Sequence, residues 1–440
     1  MQILSGSALA GASTHHSQGT NQSPDTLPEQ GLSGPPAGPG LRSGPVPPAG
    51  RKPLPGKASG GPLVHIAKYA AIPGSVDVST GEISGPKPFD PMLARVDRFA
   101  LQSVVRWLMK SSRTADCLRK RQAFKQVEVW RSVEHRTAAY GGLQTCGSVW
   151  ACPVCAAKIA ERRRSEIIAA MAAHKAAGGC VLLLTLTAPH QVGDGLADLL
   201  AKHAKALRVF WSDRSVKGVK ADMGLIGQIR AAEVTHGRRS EHNNGWHPHH
   251  HILLFVGSGR DSLPFSEADR KDFAARLYLR WSAVCGLVGL GVPSYAHGLK
   301  LDDGSKASKY VAKWGLEDEM TKGHTKKTSH GETPFDFLRS VLADRSDKQG
   351  GALFVEFALA FKGKRQLHWS HGLKAHFGIG EATDEELSAR QEDTALLLGQ
   401  IGLDQWRDVL RVEGRGILLQ VAAAGGWPAV TAYLLSIHPL

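Results

Sequence analysis

The stretch GWHPHHHILLFV, residues 245–256, places four histidines among five consecutive residues and then runs into an unbroken apolar segment. Residues 252–256 are β-prone and are closed by Gly257-Ser258-Gly259, so a strand is expected here. Alternate side chains of a strand share a face. His247, His249 and His251 should therefore point one way and His250 the other. Pro248 has no ladder donor, which sets the expected start near His249. His249 and His251 then project side by side from one rigid element, as a chelate requires. A lone His-x-His is more often a polar strand end, so its weight comes from the rest of the chain.

At 440 residues the chain has room for two or three domains. Lysine and arginine number 54 against 40 acidic residues, for a formal net charge of +14 and a pI of about 9.6. This balance favours a polyanionic partner, nucleic acid before membrane. Residues 1–17 have neither a basic n-region nor an apolar h-region, so a cytoplasmic location is expected. The weakly apolar stretch 416–440 contains Gln420, Gly425, Gly426 and Pro428, and reads as two short packed helices rather than a membrane span. Cys117, Cys146, Cys152 and Cys155 fall within 39 residues, whereas Cys180 and Cys285 lie apart. Such clustering points to metal binding in a reducing compartment, not to a disulfide framework.

Residues 1–62 are rich in proline, glycine and serine and carry too few apolar side chains to offset ordering entropy, so a disordered tail is expected. A mixed helical and strand region begins near Pro91. Further on, strands are expected over 180–189, 225–236, the histidine stretch, 294–301 and 365–370. Helices are expected over 196–211, 266–284, 304–314 and 351–361. The order strand, helix, strand, strand, helix, strand is that of a split βαβ unit. The fold class is therefore α+β: a central antiparallel sheet with helices on one face. The segment after Glu381 reads as helical and separate in character.

In TCGSVWACPVC the Cys-Pro-x-Cys turn holds two thiolates a few ångströms apart, as tetrahedral zinc needs. Cys117 would complete a set with Cys146, Cys152 and Cys155, and His135 is the alternative fourth ligand. A closed four-ligand shell has no open position, so its role is structural. Arg162-Arg163-Arg164 follows, either as a phosphate contact or as a solvated helix face. The strand before the histidines carries Glu233. If its register matches, one carboxylate joins His249 and His251. Two nitrogens and an oxygen with open positions suit Mn²⁺ or Mg²⁺ and leave room for a phosphate. In ASKYVAKWG, Tyr310 and Lys313 share one side of a helix. A phenolate can attack phosphorus, and Lys313 could stabilise it or grip the phosphate.

Together these stretches resemble the rolling-circle replication initiators of plasmids, members of the HUH endonucleases. LLLTLTAP resembles the first family motif. HPHHHILL resembles the second, with His249 and His251 as the metal pair and His250 at a centre that is usually apolar. KYVAKW resembles the third, with Tyr310 as nucleophile and Lys313 as its associated lysine. The cysteine-rich stretch resembles the region that precedes the first motif in many such initiators. The resemblance runs from about Cys117 to Gly380. It implies origin DNA as partner, met as a single-stranded hairpin loop with flanking duplex, and a host helicase and DNA polymerase, without a membrane. Tyr310 would become linked to a 5′ phosphate, freeing a 3′ hydroxyl, and would later rejoin strands. Some relatives carry a termination glutamate after the tyrosine; the nearest acidic residues here are Glu317, Asp318 and Glu319.

The expected organisation is a tail over 1–62, a zinc-binding cysteine module over 91–160, an HUH-type catalytic domain over 161–380 and a helical segment over 381–440. Three other readings compete. A conjugative relaxase or HUH transposase would apply the same chemistry to different DNA. A zinc-containing DNA-binding regulator would need neither Tyr310 nor the histidine pair. A metallo-phosphoesterase would activate water and form no adduct.

Overall fold

The computed structural model describes residues 91–241, 243–257, 265–303, 331–389 and 395–438. Tyr310, Lys313, the acidic residues Glu317, Asp318 and Glu319, the helix expected over 304–314 and the tail lie outside the described residues.

The elements that position the site run as follows: α1 Pro91–Leu108, β1 Val127–Ser132, β2 Thr137–Gly141, α2 Pro153–Ala176, β3 Cys180–Thr187, α3 Leu196–Ser212, β4 Gly227–His236 and β5 Trp246–Val256. They continue with α4 Glu267–Leu287, β6 Leu299–Asp303, α5 Pro334–Ala343, α6 Lys348–Ala360, β7 Leu367–Trp369, β8 Leu396–Ile401 and α7 Arg415–Ile437. Five strands form one antiparallel sheet in the order β6-β3-β5-β4-β7. β5 thus lies between β3 and β4, the two strands joined through α3, which is the split βαβ arrangement.

Two expectations about this sheet change. Strand β5 begins at Trp246, ahead of Pro248. Its pairing with β3 stops at Thr187↔His249, so beyond that point it has a neighbour on one side only, where proline is tolerated. Helices also cover both faces rather than one. Ile167 and Ala170 of α2 pack on Leu183, Ile229, Leu253 and Phe255. Leu207, Phe210, Leu277 and Trp281 of α3 and α4 pack with Leu182, Leu184, Ile252 and Leu254. A central strand whose residues 252–256 are all fully buried needs cover on both sides. The strand expected over 294–301 is a helical turn, Tyr295–Gly298, followed by β6.

The C-terminal segment is neither helical throughout nor separate. Strand β8 pairs with β1, Val127 facing Ile401, and completes a three-stranded sheet β2-β1-β8. Leu418, Leu419 and Ala422 of α7 pack on Phe99, Val127 and Tyr140. A lone β1-β2 hairpin would be marginal, and the late strand and helix supply the missing core. Helix α7 is long and apolar enough to cross a membrane by length and composition. It breaks at Gly426 (φ 66°), and its buried residues belong to this core, in keeping with two short packed helices.

Behind the main sheet, His250 is buried against the ring of His203 at 5.3 Å. Burial pushes His203 down to about 4 and His250 well below its ordinary value, so both stay neutral. In the unfolded chain each titrates near 6.5. As pH falls below that value the unfolded state takes up protons that the fold refuses. Each of the two histidines then costs about 1.4 kcal/mol per pH unit. Thermal melts are expected to show a falling Tm between pH 7 and pH 5. A flat Tm over that range would mean that these rings reach water.

Candidate metal centres and nucleic-acid interface

Strand register builds the first centre. Glu233 lies directly opposite His249, and Ala231 opposite His251. Directly opposed residues share a face, so the carboxylate meets both imidazoles. Glu233 Oε2 lies 3.0 Å from His249 Nε2 and 3.0 Å from His251 Nε2. Burial would raise the Glu233 pKa, but hydrogen bonds from the two histidines outweigh it and hold the group well below the usual carboxylate range.

The outer ring nitrogens decide what the inner ones offer. His249 Nδ1 faces the His247 carbonyl at 3.4 Å, and His251 Nδ1 faces Thr185 Oγ1 at 3.2 Å. A carbonyl only accepts, so with its proton on Nδ1 the His249 ring would turn a lone pair on Nε2 to a bound cation, in place of the hydrogen bond that Nε2 gives Glu233 when no cation is there. Such outer partners orient metal-binding imidazoles. The donor set, two imidazole nitrogens and one carboxylate oxygen, therefore fits a divalent cation.

Sequence reasoning missed His190. It follows β3, and its Nε2 lies 2.5 Å from His247 Nδ1 while its Nδ1 lies 2.8 Å from the Asn244 carbonyl. This extends the imidazole row past His249. The PHQ stretch after β3 holds the only local signal, and nothing in it indicates which histidine it will meet.

The second centre joins all four clustered cysteines. Their sulfurs are buried, with 3.4 Å between Cys117 and Cys155, 3.7 Å between Cys146 and Cys155 and 3.8 Å between Cys117 and Cys152. None is in a disulfide. Thiolates bound at about 2.3 Å to one tetrahedral ion stand roughly 3.8 Å apart, which these distances match. His135 lies in the exposed β1–β2 turn, so the four-cysteine alternative is the set the fold assembles. Cys146 is held well below an ordinary thiol, first by its contact with Cys117. Gln102 Nε2 donates to Cys152 Sγ at 3.2 Å, and Ser148 N to Cys146 Sγ at 3.5 Å. Gln102 is itself held by the fully buried Arg415 of α7. This buried four-cysteine group could hold zinc.

A pocket opens on the Glu233 and His251 face, lined also by Trp150, Arg163, Gln366 and Leu367. Arg163 is engaged by Glu166 at 3.1 Å and Asp384 at 3.0 Å, and Arg164 by Glu161 at 2.9 Å. These two members of the arginine run therefore serve ion pairs within the fold.

Residues 142–262 match a family described as "Replication protein". The matched span holds Cys146, Cys152, Cys155, Glu233, His249 and His251. The chain is 28% identical over 369 residues to "Protein rep" of Streptomyces lividans, covering 69% of this chain and 75% of that protein. Residues 142–262 thus resemble a replication-protein domain, and the wider similarity is to a Rep protein. A shorter similarity, 34% over 140 residues, links the chain to the "Neomycin resistance protein" of Streptomyces cyanogenus, covering 26% of this chain and 31% of that one. No solved structure matches it.

Proposed function

We propose that this protein is a Rep-type initiator that starts rolling-circle replication of a plasmid by nicking one strand of the origin. The observation that carries the reading is the Glu233–His249–His251 centre, with both inner nitrogens 3.0 Å from one carboxylate oxygen and the outer nitrogens turned to other partners. A divalent cation held there, Mn²⁺ or Mg²⁺, would polarise the scissile phosphate. Tyr310 attacks that phosphorus through its phenolic oxygen. The bond from phosphorus to the 3′ oxygen breaks, and the proton lost by the phenol ends on the freed 3′ hydroxyl. Lys313 steadies the phenolate or the phosphate. One phosphodiester is exchanged for a phosphotyrosine, so the bond energy is kept and rejoining needs no nucleotide. The free 3′ hydroxyl primes a host polymerase once a helicase parts the duplex.

Chain length allows Tyr310 this place. It lies seven residues beyond Asp303, a reach of up to about 25 Å. Asp303 pairs with Leu182, five residues along β3 from Thr187, which faces His249. Five residues along and two strands across amount to about 19 Å. The test of the reading is incubation with single-stranded origin DNA and Mn²⁺, followed by a search for an adduct that survives denaturation. Absence of any adduct would refute the tyrosine chemistry.

A register prediction accompanies it. His249→Ala and His251→Ala should each lose Mn²⁺ binding and lower cleavage by roughly 10²-fold or more. His250→Leu should leave cleavage intact. Neither His250 ring nitrogen has a partner among the described residues, so an apolar side chain of similar size forfeits no hydrogen bond and should hold or raise Tm. Equal loss of cleavage from all three substitutions would place His250 in the centre after all.

A further inference from the structure

We infer that the groove between the cysteine knuckle and the α6–β7 loop carries single-stranded DNA to the Glu233–His249–His251 centre, with Gln366 reading a base at the junction. This rests on the nicking reading above and adds the strand path and a specificity residue.

The groove has a volume of about 1730 Å³, well above that of a small-molecule site, typically ~300–1,000 Å³. It shares Trp150, Arg163, Gln366 and Leu367 with the pocket on the Glu233 and His251 face, so the two adjoin across these side chains. The inner part, about 100 Å³, has no room for a duplex, and strands must part before reaching it.

The groove's lining is net positive, with seven lysines and arginines against four carboxylates. Lys110, Lys362, Lys364 and Arg365 are exposed, and no ion pair among the described residues engages them. The groove's acidic residues are occupied. Asp384 meets Arg163 at 3.0 Å, Glu385 meets Arg113 at 3.9 Å, Glu381 meets Lys374 at 3.6 Å, and Glu386 accepts from Thr383 N at 2.7 Å. Four uncompensated cations along a groove are a track for phosphates.

The knuckle holds the basic loop in place. Trp150, between Cys146 and Cys152, donates its indole N–H to the Lys364 carbonyl at 2.7 Å and packs on Phe361 with ring centroids 4.4 Å apart. At the junction Gln366 is 5% exposed, and its Oε1 has no hydrogen-bond partner among the described residues. A buried carbonyl without a donor is costly, and a ligand donor relieves it. The exocyclic amines of adenine and cytosine are such donors, projecting from the base edge; thymine has only its ring N3–H, set back between two carbonyl oxygens that the Gln366 carbonyl would repel.

The test uses the full chain and fluorescent dA₂₀, dC₂₀ and dT₂₀, read by anisotropy without divalent metal. Combined Lys362→Gln, Lys364→Gln and Arg365→Gln should weaken all three at least about tenfold at 0.1 M salt. The log–log salt slope should shrink by about 2, at about 0.7 per lost phosphate contact on single strands. Tm should stay unchanged. Gln366→Leu should remove the preference for dA₂₀ and dC₂₀ over dT₂₀, a change of about fivefold or more. Unchanged affinity and slope in the triple variant, while the unaltered protein still forms its tyrosine adduct, would overturn the groove and leave the nicking reading standing. Failure of the unaltered protein to form any adduct would instead strike the nicking reading itself.

Discussion

Tyr310→Phe is expected to abolish strand cleavage and the covalent protein–DNA adduct together, with cleavage lowered by roughly 10⁴-fold or more. The substitution removes one oxygen, and phenylalanine offers nothing to attack phosphorus. Fold, zinc content and DNA binding should persist, because the groove cations and both ligand sets lie elsewhere in the chain. Lys313→Ala should slow cleavage by about 10²-fold without abolishing it, since a charge that assists the phenolate is not the attacking atom. Mass spectrometry of a peptide containing Tyr310, after reaction with a short origin oligonucleotide, is the deciding measurement. Nucleotide mass on Tyr310 supports the mechanism. Mass on Tyr278 or Tyr295, which pack together with centroids 4.9 Å apart, would keep the class but move the nucleophile. Nicking that persists in Tyr310→Phe without any adduct would favour a water-activating phosphoesterase.

Cys152→Ser is expected to abolish zinc binding at the four-cysteine group and unfold the region around it. Structural zinc contributes roughly 10–16 kcal/mol to small modules, as much as the roughly 5–15 kcal/mol that stabilises a whole domain. The substitution is a clean probe because Cys152 is also the N-cap of α2, its sulfur accepting from Cys155 N. Serine is a good N-cap, so the helix start survives and the lost ligand carries the effect. Elemental analysis should find one zinc per chain in the unaltered protein and none in the variant, whose melt should be broad or absent. Cys285→Ser, buried on α4 away from the cluster, should keep its zinc. A zinc-free variant with an unchanged melt would remove the structural role.

What was legible in the sequence was local. The alternation of His249, His250 and His251 follows from the two-residue period of a strand, and it separated the facing pair from the buried middle residue. Spacing within Cys152-x-x-Cys155 likewise implied two sulfurs at one point. The split βαβ arrangement was readable from the order of strands and helices along the chain, because connections restrict which strands can pair. Even the break in α7 was foreshadowed by Gly425, Gly426 and Pro428.

Tertiary structure decided the rest. Glu233 reaches the imidazoles only because β4 pairs with β5 in one register, and a slip of one residue would have turned it to the α3 face. Cys117, rather than His135, joins the cluster because α1 and α7 close over it, through a bond from Arg415 to Gln102 and from Gln102 to Cys152. The β8 strand pairs with β1 across more than half of the chain, which no local pattern signals. His190 and Gln366 gained their places in the same way, through neighbours remote in sequence. Period and turn spacing act over a few residues and are written into the chain. Which distant partner a side chain meets depends on how whole faces bury their apolar area against one another, and only the packed fold settles that.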